Sequence, residues 1–325
     1  MSDFSRARVG ATKLEISRVG LGGGAMGHMY ESVSDDVAIA TVRKALEVGF
    51  DHVDTAPLYG HGESERRVGL ALKGVKRNKF TISTKVGRVL VPYSGPAPWK
   101  GAPKVQPVFD FSSEGIVKSF EDSQKRLQLD SVDILFIHDC DDYIPQALRE
   151  SQPAVAKLKE KGATKAIGAG LNSYETALKL AKKAEFDCFL IAGRYTLLEQ
   201  GAIDEFIPFC EDEEIGIIIG GPFNSGILAS DLKTRVTYNY ESAPPALVEK
   251  AQKIKKVCDD HSVPLRAAAL QFILANPAVT SVIPGSRSPA EVEDNARSLK
   301  VRIPRGVWDD LKAEKLIKEE APVPR

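Results

Sequence analysis

Four polar side chains of different chemical types stand at the ends of short apolar runs, or in the loop just after one, in the first half of the chain. Asp54, Lys85 and His138 each end such a run, and Tyr59 follows in the loop after Asp54. A carboxylate, an ammonium, an imidazole and a phenol together form a set suited to moving a proton to or from a substrate oxygen. These residue types therefore predict acid–base chemistry at one site.

The phenol requires a neighbouring positive charge to lower its pKa, because a phenol titrates near pH ~10 and is a poor base at neutral pH. A buried ammonium about 4 Å away stabilises a phenolate by roughly 4 kcal/mol at an effective dielectric of about 20, and desolvation opposes part of this gain. Lys85 would supply that ammonium, and Asp54 would keep it charged and oriented. We therefore predict that Tyr59 exchanges a proton with a carbonyl or alcohol whose oxygen accepts a hydrogen bond from His138.

The elements that must position these side chains are eight short apolar runs that alternate with stretches of helical period. The runs begin at Val19, His52, Thr81, Val132, Ala166, Cys188, Gly216 and Ser281. Strict alternation of this kind predicts right-handed βαβ units and a parallel sheet. Eight units close into a (β/α)8 TIM barrel, whose active site lies at the carboxyl ends of the strands. The four polar side chains would then meet at one rim.

Chain length alone suggests two domains, since 325 residues is about twice the usual ~150 residues per domain. A barrel uses roughly 200 to 400 residues as one unit, so we predict that residues 1–325 form a single barrel domain. Two short strands between Ala7 and Ile16 would form an N-terminal hairpin that plugs it. The excess length falls in two loops, 86–110 and 221–243, and long ordered loops are usually lids or binding loops.

A glycine-rich segment after the first run, Gly22–Gly27, matches the dinucleotide-binding pattern G-x-G-x-x-G. That fingerprint requires a helix beginning at the glycines, whereas the next helical pattern starts only near Asp35. The glycines are better explained by close approach of the backbone to the barrel mouth. We predict that Met26, Tyr30 and, in the long loop, Trp99 line a substrate pocket, with hydrophobic packing as the alternative for each.

Composition and sequence motifs limit the classes of partner that the protein is expected to bind. The 44 basic and 44 acidic residues cancel, which argues against a nucleic-acid-binding protein. Apolar runs are too short to span a membrane, and the N-terminus lacks a signal-peptide pattern, so a cytoplasmic protein is expected. The four cysteines form no C-x-x-C pair, and we predict no metal site. A small-molecule substrate is the expected partner, and the oligomeric state is left open.

Three segments carry a family resemblance. Phe50–Gly60, Ser83–Gly87 and Leu135–Asp139 together resemble the aldo-keto reductase superfamily. The resemblance spans essentially the whole chain and implies a (β/α)8 barrel that binds a nicotinamide dinucleotide without a Rossmann fold. It also implies that the four side chains described above form the catalytic tetrad, with Tyr59 as general acid and base.

The resemblance assigns cofactor contacts as well. Asn172 matches the carboxamide-binding residue, the loop after the seventh strand matches the pyrophosphate loop, and the segment after the eighth strand matches the adenosine end. Backbone N–H groups of such a loop can cradle phosphate. The implied cofactor-binding positions are Asn172, Gly221, Phe223, Ser225, Gly226, Gly285, Arg287, Glu291 and Asn295.

The chain departs from the family pattern at two strand ends. Ala192 stands where many members have Gln, and Gly220 aligns where many have a Tyr that stacks on nicotinamide. Arg194 and Phe223 are the candidates to compensate. At the adenosine end, Glu291 would repel a 2′-phosphate and accept from a ribose hydroxyl, which favours NAD, whereas Arg287 could pair with the phosphate of NADP.

Three further segments, 168–172, 193–198 and 222–226, resemble the branch of the superfamily that contains aldose and pyridoxal dehydrogenases. That branch implies NAD(P)-dependent oxidation of a cyclic hemiacetal, either an aldose such as L-fucose or pyridoxal, to a lactone. The alternative activity is NADPH-dependent reduction of aldehydes or ketones. A non-catalytic nicotinamide-binding subunit is the alternative from another class.

Overall fold

A computed structural model of the protein describes residues 5–28, 32–232, 237–238 and 241–324. Most of the strands predicted from the sequence appear within two or three residues of the expected positions. The strands are β1 (Arg6–Arg8), β2 (Glu15–Ser17), β3 (Leu21–Gly22), β4 (His52–Asp54), β5 (Thr81–Val86), β6 (Arg88–Pro92), β7 (Val105–Phe109), β8 (Ile134–His138), β9 (Ala166–Leu171), β10 (Cys188–Ala192), β11 (Gly216–Gly220), β12 (Thr237–Tyr238), β13 (Glu241–Ser242) and β14 (Val279–Ile283).

Eight of these strands form one parallel sheet that closes on itself. Their order is β14-β11-β10-β9-β8-β5-β4-β3. Parallel bridges join Val19 to Val282 and Gly22 to Gly285, which brings the first strand against the last. The predicted (β/α)8 TIM barrel is therefore confirmed, and the carboxyl ends of its strands form one rim.

Helices follow the strands around the barrel. They are α1 (Asp35–Val48), α2 (Glu63–Leu72), α3 (Ser113–Leu127), α4 (Ile144–Gln146), α5 (Gln152–Glu160), α6 (Tyr174–Ala181), α7 (Phe206–Asp212), α8 (Pro245–Asp260), α9 (Leu265–Ala275), α10 (Pro289–Ser298) and α11 (Arg305–Ala313). A π-helical turn, Ala147–Ser151, joins α4 to α5. In the described part of the chain, none of these helices is both long and apolar enough to cross a membrane.

Each of the two long helices α1 and α3 buries one face against the barrel. The buried residues of α1 are Ala38, Thr41, Val42 and Ala45. Val37 of α1 and Val117 of α3 lie on the outer faces and are 38% and 37% exposed. Residues three or four positions apart share a face of a helix, which is why these buried residues line one side.

The amino-terminal hairpin closes the bottom of the barrel, as predicted. Strands β1 and β2 pair antiparallel, with Ala7 opposite Ile16. Val9 and Ile16 are fully buried in a cluster with inward-facing residues of the barrel strands, among them Phe136 and Ile218. The opposite rim is thus the open end of the barrel.

The two long loops contain hairpins that the sequence did not reveal. In the first, β6 pairs antiparallel with β7, with Arg88 opposite Phe109. In the second, β12 pairs with β13. Both insertions follow the carboxyl end of a barrel strand, so both stand at the rim where the predicted site lies.

Candidate active site

A buried ion pair lies at the ends of β4 and β5. Lys85 Nζ donates to Asp54 Oδ2 over 2.6 Å and to the Thr55 carbonyl over 2.9 Å. Ser83 Oγ donates to the other carboxylate oxygen of Asp54 over 2.7 Å. The two charged side chains are only 1% and 4% exposed. Short charge-assisted bonds in a buried setting hold the ammonium in one place.

Space for the lysine side chain comes from a neighbouring strand. A Cβ at Gly170 in β9 would stand 3.3 Å from Lys85 Cε, which is tighter than most real contacts. A glycine at this position therefore lets the long side chain cross the barrel interior without strain.

Tyr59 lies above this ion pair. Lys85 Nζ is 4.8 Å from the centroid of its half-buried ring, within the range of a cation–π contact. The loop that carries it is packed against the glycine-rich segment, since a Cβ at Gly27 would fall 2.3 Å from the Tyr59 carbonyl carbon. The close backbone approach predicted for these glycines is therefore present, and it fixes the tyrosine loop.

His138 completes the group at the end of β8. Its ring meets Tyr59 edge-on, with centroids 6.0 Å apart. Burial lowers the pKa of His138 from 6.5 to about 3; Lys85 and Arg88 also lower it, and Asp139 opposes them. The imidazole is therefore neutral at physiological pH and can donate from one nitrogen only. All four predicted tetrad residues thus lie together.

Asn172, the predicted carboxamide-binding residue, stands exposed just beyond β9. Its Nδ2 donates to Asp139 Oδ1 over 3.0 Å. Arg194 Nε donates to its main-chain oxygen over 2.7 Å. Arg194 Nη1 also donates to Glu199 and to the Tyr238 hydroxyl of β12. Arg194 therefore links the end of β10 to the second long loop.

Sequence reasoning gave no role to Asp139 or Arg88, although both belong to this site. Asp139 lies 3.4 Å from His138 Nε2 and forms a 2.8 Å ion pair with Arg88 of β6. The signal for Asp139 was its position directly after His138. Arg88 could not be found in that way, because its place depends on a hairpin that the sequence did not predict.

The predicted pyrophosphate loop after β11 has an unusual backbone. Gly221, Asn224, Ser225 and Gly226 all adopt positive φ, between 46° and 97°. Turns that contain left-handed residues make concavities that bind anions through backbone N–H groups. Phe223 is buried, and the Arg266 guanidinium lies 5.1 Å from its ring centroid. The loop conformation and a nearby cation suit a phosphate group.

At the predicted adenosine end, the two opposing charges are paired with each other. Arg287 Nη2 donates to Glu291 Oε1 over 2.7 Å, and the Arg287 backbone N–H donates to Oε2 over 2.8 Å. Gly285 is exposed beside them. Asn295, expected at the adenine, is instead fully buried and accepts from Arg266 over 3.0 Å. Its amide supports Arg266 rather than facing open space.

The predicted substrate pocket residues have different outcomes. Met26 is fully buried in the hydrophobic core, so packing and not substrate contact is its observed role. Trp99 is partly exposed and stacks on His28, with His61 against its edge. Its contact with substrate stays a prediction. Tyr30 lies outside the described residues.

The departures from the family pattern lie side by side at the rim. Ala192 and Gly220 end adjacent strands and are paired in register. No side chain larger than a methyl group stands at either position, and a Cβ at Gly220 would lie 3.2 Å from Leu190 Cδ2. Neither position therefore offers an amide or a ring to a cofactor. Asn172 and the phosphate-suited loop are the residues that fit a nicotinamide dinucleotide.

Comparison with known proteins agrees with the family resemblance noted in the sequence. Residues 18–314 match the aldo/keto reductase family. The D-threo-aldose 1-dehydrogenase of a Pseudomonas species is 37% identical, over 94% of this chain and 96% of its own length. The pyridoxal 4-dehydrogenase of Microbacterium luteolum is 33% identical, over 95% and 97%. The L-galactose dehydrogenase of Arabidopsis thaliana is 30% identical, over 92% and 89%.

Solved structures share the architecture. A holo-form aldo-keto reductase from Bacillus halodurans superposes with a TM-score of 0.77, covers 99% of this chain and 98% of its own, and is 23% identical. The glycerol dehydrogenase from Gluconobacter oxydans gives 0.75 with coverage of 98% and 97%, also at 23% identity. At this identity the two structures support the barrel fold alone.

Proposed function

Because the chain belongs to the aldo/keto reductase family, we propose that it oxidises the cyclic hemiacetal form of an aldose or of pyridoxal to a lactone. The family match and the dehydrogenase relatives make the chain an NAD(P)-dependent oxidoreductase. Its two most similar relatives named above act, by their names, on an aldose and on pyridoxal. Each of these substrates has a ring form with a hydroxyl on the carbon to be oxidised.

The observation that carries the proposal is the ammonium held beneath the tyrosine. Lys85 is fixed by Asp54 and lies 4.8 Å from the Tyr59 ring centroid. A fixed positive charge favours the phenolate over the phenol. Tyr59 can therefore accept the proton of the substrate hydroxyl as the carbon loses its hydride. The C–H bond electrons leave with that hydride, and the O–H electrons become the second bond of the lactone carbonyl.

His138 supports the same step without changing its charge. As a neutral imidazole it donates one hydrogen bond to the substrate oxygen while that oxygen loses its proton to Tyr59. Its edge-on contact with the tyrosine ring supports the proposal that both side chains reach one substrate oxygen. A charged imidazolium would instead repel the ammonium of Lys85, so the neutral form suits this site.

The cofactor would lie along the rim from Asn172 to Arg287. A bound nicotinamide dinucleotide supplies the hydride acceptor for the reaction. Asn172 would hold the carboxamide, the loop 221–226 would hold the pyrophosphate with Arg266 nearby, and Glu291 would face the ribose. We propose NAD as the preferred cofactor, because Glu291 neutralises the one guanidinium, Arg287, that was expected to attract a 2′-phosphate.

The activity is tested with a substrate panel followed at the absorbance of reduced nicotinamide. L-Fucose, D-arabinose and pyridoxal are each supplied with NAD and with NADP, and simple aldehydes with NADH and NADPH. We expect turnover of a hemiacetal substrate with a larger kcat/KM for NAD. Reduction of aldehydes with NADPH alone would replace this proposal by the reductase function. Cofactor binding without any turnover would indicate a non-catalytic subunit.

The role of the phenol is tested by Tyr59→Phe. The variant keeps the ring over Lys85 but has no oxygen to accept the proton, so we expect turnover to be abolished. Cofactor binding, followed by quenching of intrinsic fluorescence, should stay nearly unchanged because Tyr59 is not among the proposed cofactor contacts. More than about a tenth of the activity in Tyr59→Phe would show that another group moves the proton.

A further inference from the structure

We infer that Asp139 is a positioning residue that keeps the proton of His138 on Nε2 and fixes the orientation of Asn172. The inference rests on the proposed roles of His138 and Asn172 in the reaction. Asp139 contacts Arg88 and Asn172 and lies beside His138, and sequence reasoning gave it no role.

Asp139 sits at the junction of three groups of the site. One carboxylate oxygen, Oδ2, lies 3.4 Å from His138 Nε2 and accepts from Arg88 over 2.8 Å. The other, Oδ1, accepts from Asn172 Nδ2 over 3.0 Å. The side chain is 18% exposed. Arg88 balances its charge, so a carboxylate can remain ionised in this largely buried place.

The two nitrogens of His138 have very different surroundings. Nδ1 is buried and, among the described residues, has no hydrogen-bond partner. A proton there would be a desolvated donor without an acceptor, which is unfavourable. Nε2 faces a carboxylate, which attracts a proton on that nitrogen and repels a lone pair. The geometry therefore selects the Nε2–H form of the neutral imidazole.

This selection matters because only one nitrogen of a neutral imidazole can donate. The 3.4 Å separation is long for a hydrogen bond, so the carboxylate biases the proton without fully engaging it. The Nε2–H group remains available to a substrate oxygen at the mouth. In the other tautomer, the same nitrogen would present a lone pair to that oxygen and the hydrogen bond would be lost.

The same carboxylate decides which way the Asn172 amide points. An ionised carboxylate only accepts hydrogen bonds, so the amide group must turn its NH2 toward Asp139. The Asn172 side-chain oxygen is then directed elsewhere, where it can accept from the NH2 of a carboxamide. Asp139 thus determines both that His138 Nε2 is the donor in the acid–base site and that the Asn172 side-chain oxygen is the acceptor in the proposed nicotinamide site.

The backbone at Asp139 shows how the carboxylate is aimed. Its φ is +47°, a conformation that is uncommon for residues other than glycine. Its N–H donates to the Gly170 carbonyl of the neighbouring strand over 2.9 Å, which anchors the turn directly after β8. Asparagine tolerates this conformation as well as aspartate does. Asp139→Asn therefore removes the charge while leaving the backbone preference intact.

The test is a measurement of histidine tautomers by 15N NMR on the whole protein, with only five histidines to assign. We expect wild-type His138 to be in the Nε2–H form, with and without NAD⁺. In Asp139→Asn the amide oxygen can still accept from Asn172, while the amide NH2 can turn toward His138 Nε2 and favour a lone pair there. A substantial Nδ1–H population should therefore appear, kcat should fall at least tenfold, and the KM for NAD should change less than threefold. Asp142→Asn, a neighbouring exposed carboxylate, is the matched control and should behave as wild type.

Two results would overturn the inference. One is an Nδ1–H form of His138 in the wild-type protein, and the other is an unchanged tautomer in Asp139→Asn. Both are read without any substrate, so they are independent of which compound the enzyme oxidises. Failure of the substrate panel with the expected tautomers would instead count against the proposed function and leave the positioning role of Asp139 supported.

Discussion

At the residue scale, burial decides the charge of the histidines inside the barrel. Burial lowers the pKa of His138 to about 3, and it also lowers the pKa of His52, which lies fully buried beneath the ion pair. In the unfolded chain the same groups titrate near pH ~6.5. Folding therefore excludes protons that the unfolded chain would bind, and this links the stability of the barrel to pH.

The sign of this linkage gives a prediction for His138. Below pH 6.5 the unfolded chain binds a proton at this imidazole and the folded chain does not, so stability falls as the pH falls toward the folded value near 3. One such proton corresponds to about 1.4 kcal/mol per pH unit. His138→Asn should show a shallower loss of unfolding free energy in urea melts between pH 6.5 and 4.5. Parallel curves for the two proteins would contradict the buried neutral state.

What the sequence could predict at this scale follows from the strand-end rule. Asp54, Lys85 and His138 were found because each was expected at the end of a strand, and such ends meet at one rim. The burial of Met26 and Asn295 was not foreseen, because exposure depends on neighbours that are far away in sequence. Asn295 contacts Arg266, 29 positions earlier. No local pattern reports that contact.

At the element scale, helices α2 and α3 are tied to the barrel by a buried carboxylate. Glu65 is fully buried in α2, where Thr84 Oγ1 of β5 donates to one oxygen and Arg126 Nε of α3 donates to the other, both over 2.6 Å. β5 is also the strand that carries Lys85. The same strand therefore supports the site on the inside and the helix layer on the outside.

Removing the guanidinium of the Arg126–Glu65 ion pair should lower the free energy of unfolding without altering the proposed active site. We expect Arg126→Ala to lower the unfolding free energy by about 2–3 kcal/mol, somewhat less than for a fully buried pair because Arg126 is 21% exposed. The measurement is chemical denaturation together with kcat at low temperature, which should stay near wild type. Lys125→Ala, an exposed neighbour in the same helix, is the control. Equal melts for the two variants would mean that Glu65 finds another partner.

The barrel elements and the positions of the two long loops were largely predictable from the sequence, whereas the hairpins inside those loops were not. Apolar runs flanked by turns marked most of the barrel strands, because parallel strands are buried on both faces. The hairpin β6–β7 was described from the sequence only as part of the long loop 86–110. Val89 is buried, but the other residues of the two strands are exposed or partly exposed, and each strand contains a proline, Pro92 or Pro107. A proline within a short apolar run argues against a strand.

At the scale of the whole molecule, the barrel is closed at one end by the hairpin β1–β2. The turn of this hairpin contains Gly10 at φ +53°, and a Cβ there would lie 2.3 Å from the Asp187 carbonyl and 2.8 Å from that of Glu214. Both carbonyls belong to turns at the bottom of the barrel. The opposite rim, where the proposed site lies, is therefore the open end of the barrel.

A pair of glycine substitutions measures how tightly this hairpin fits. Gly74 also has positive φ, at +82°, but a Cβ there would meet nothing within 4 Å. Both Gly10→Ala and Gly74→Ala incur the cost of a left-handed alanine, about 1–2 kcal/mol. Gly10→Ala should lose roughly a further 1–3 kcal/mol, because the backbone must move away from two carbonyls. Equal losses in thermal or urea unfolding would show that the hairpin is free to shift.

The seam of the barrel has a consequence for how the protein is made. Val19 and Val282, which meet there, are 263 positions apart in the chain. A ribosome adds about 5–20 residues per second, so the first strand waits roughly 10–50 seconds for its last partner. During that interval an unpaired strand edge is open to other nascent chains. Closure of the barrel between its first and last strands therefore has a second consequence. The exposed strand edge is covered only after the last strand has been synthesised, so the risk of aggregation lasts until then.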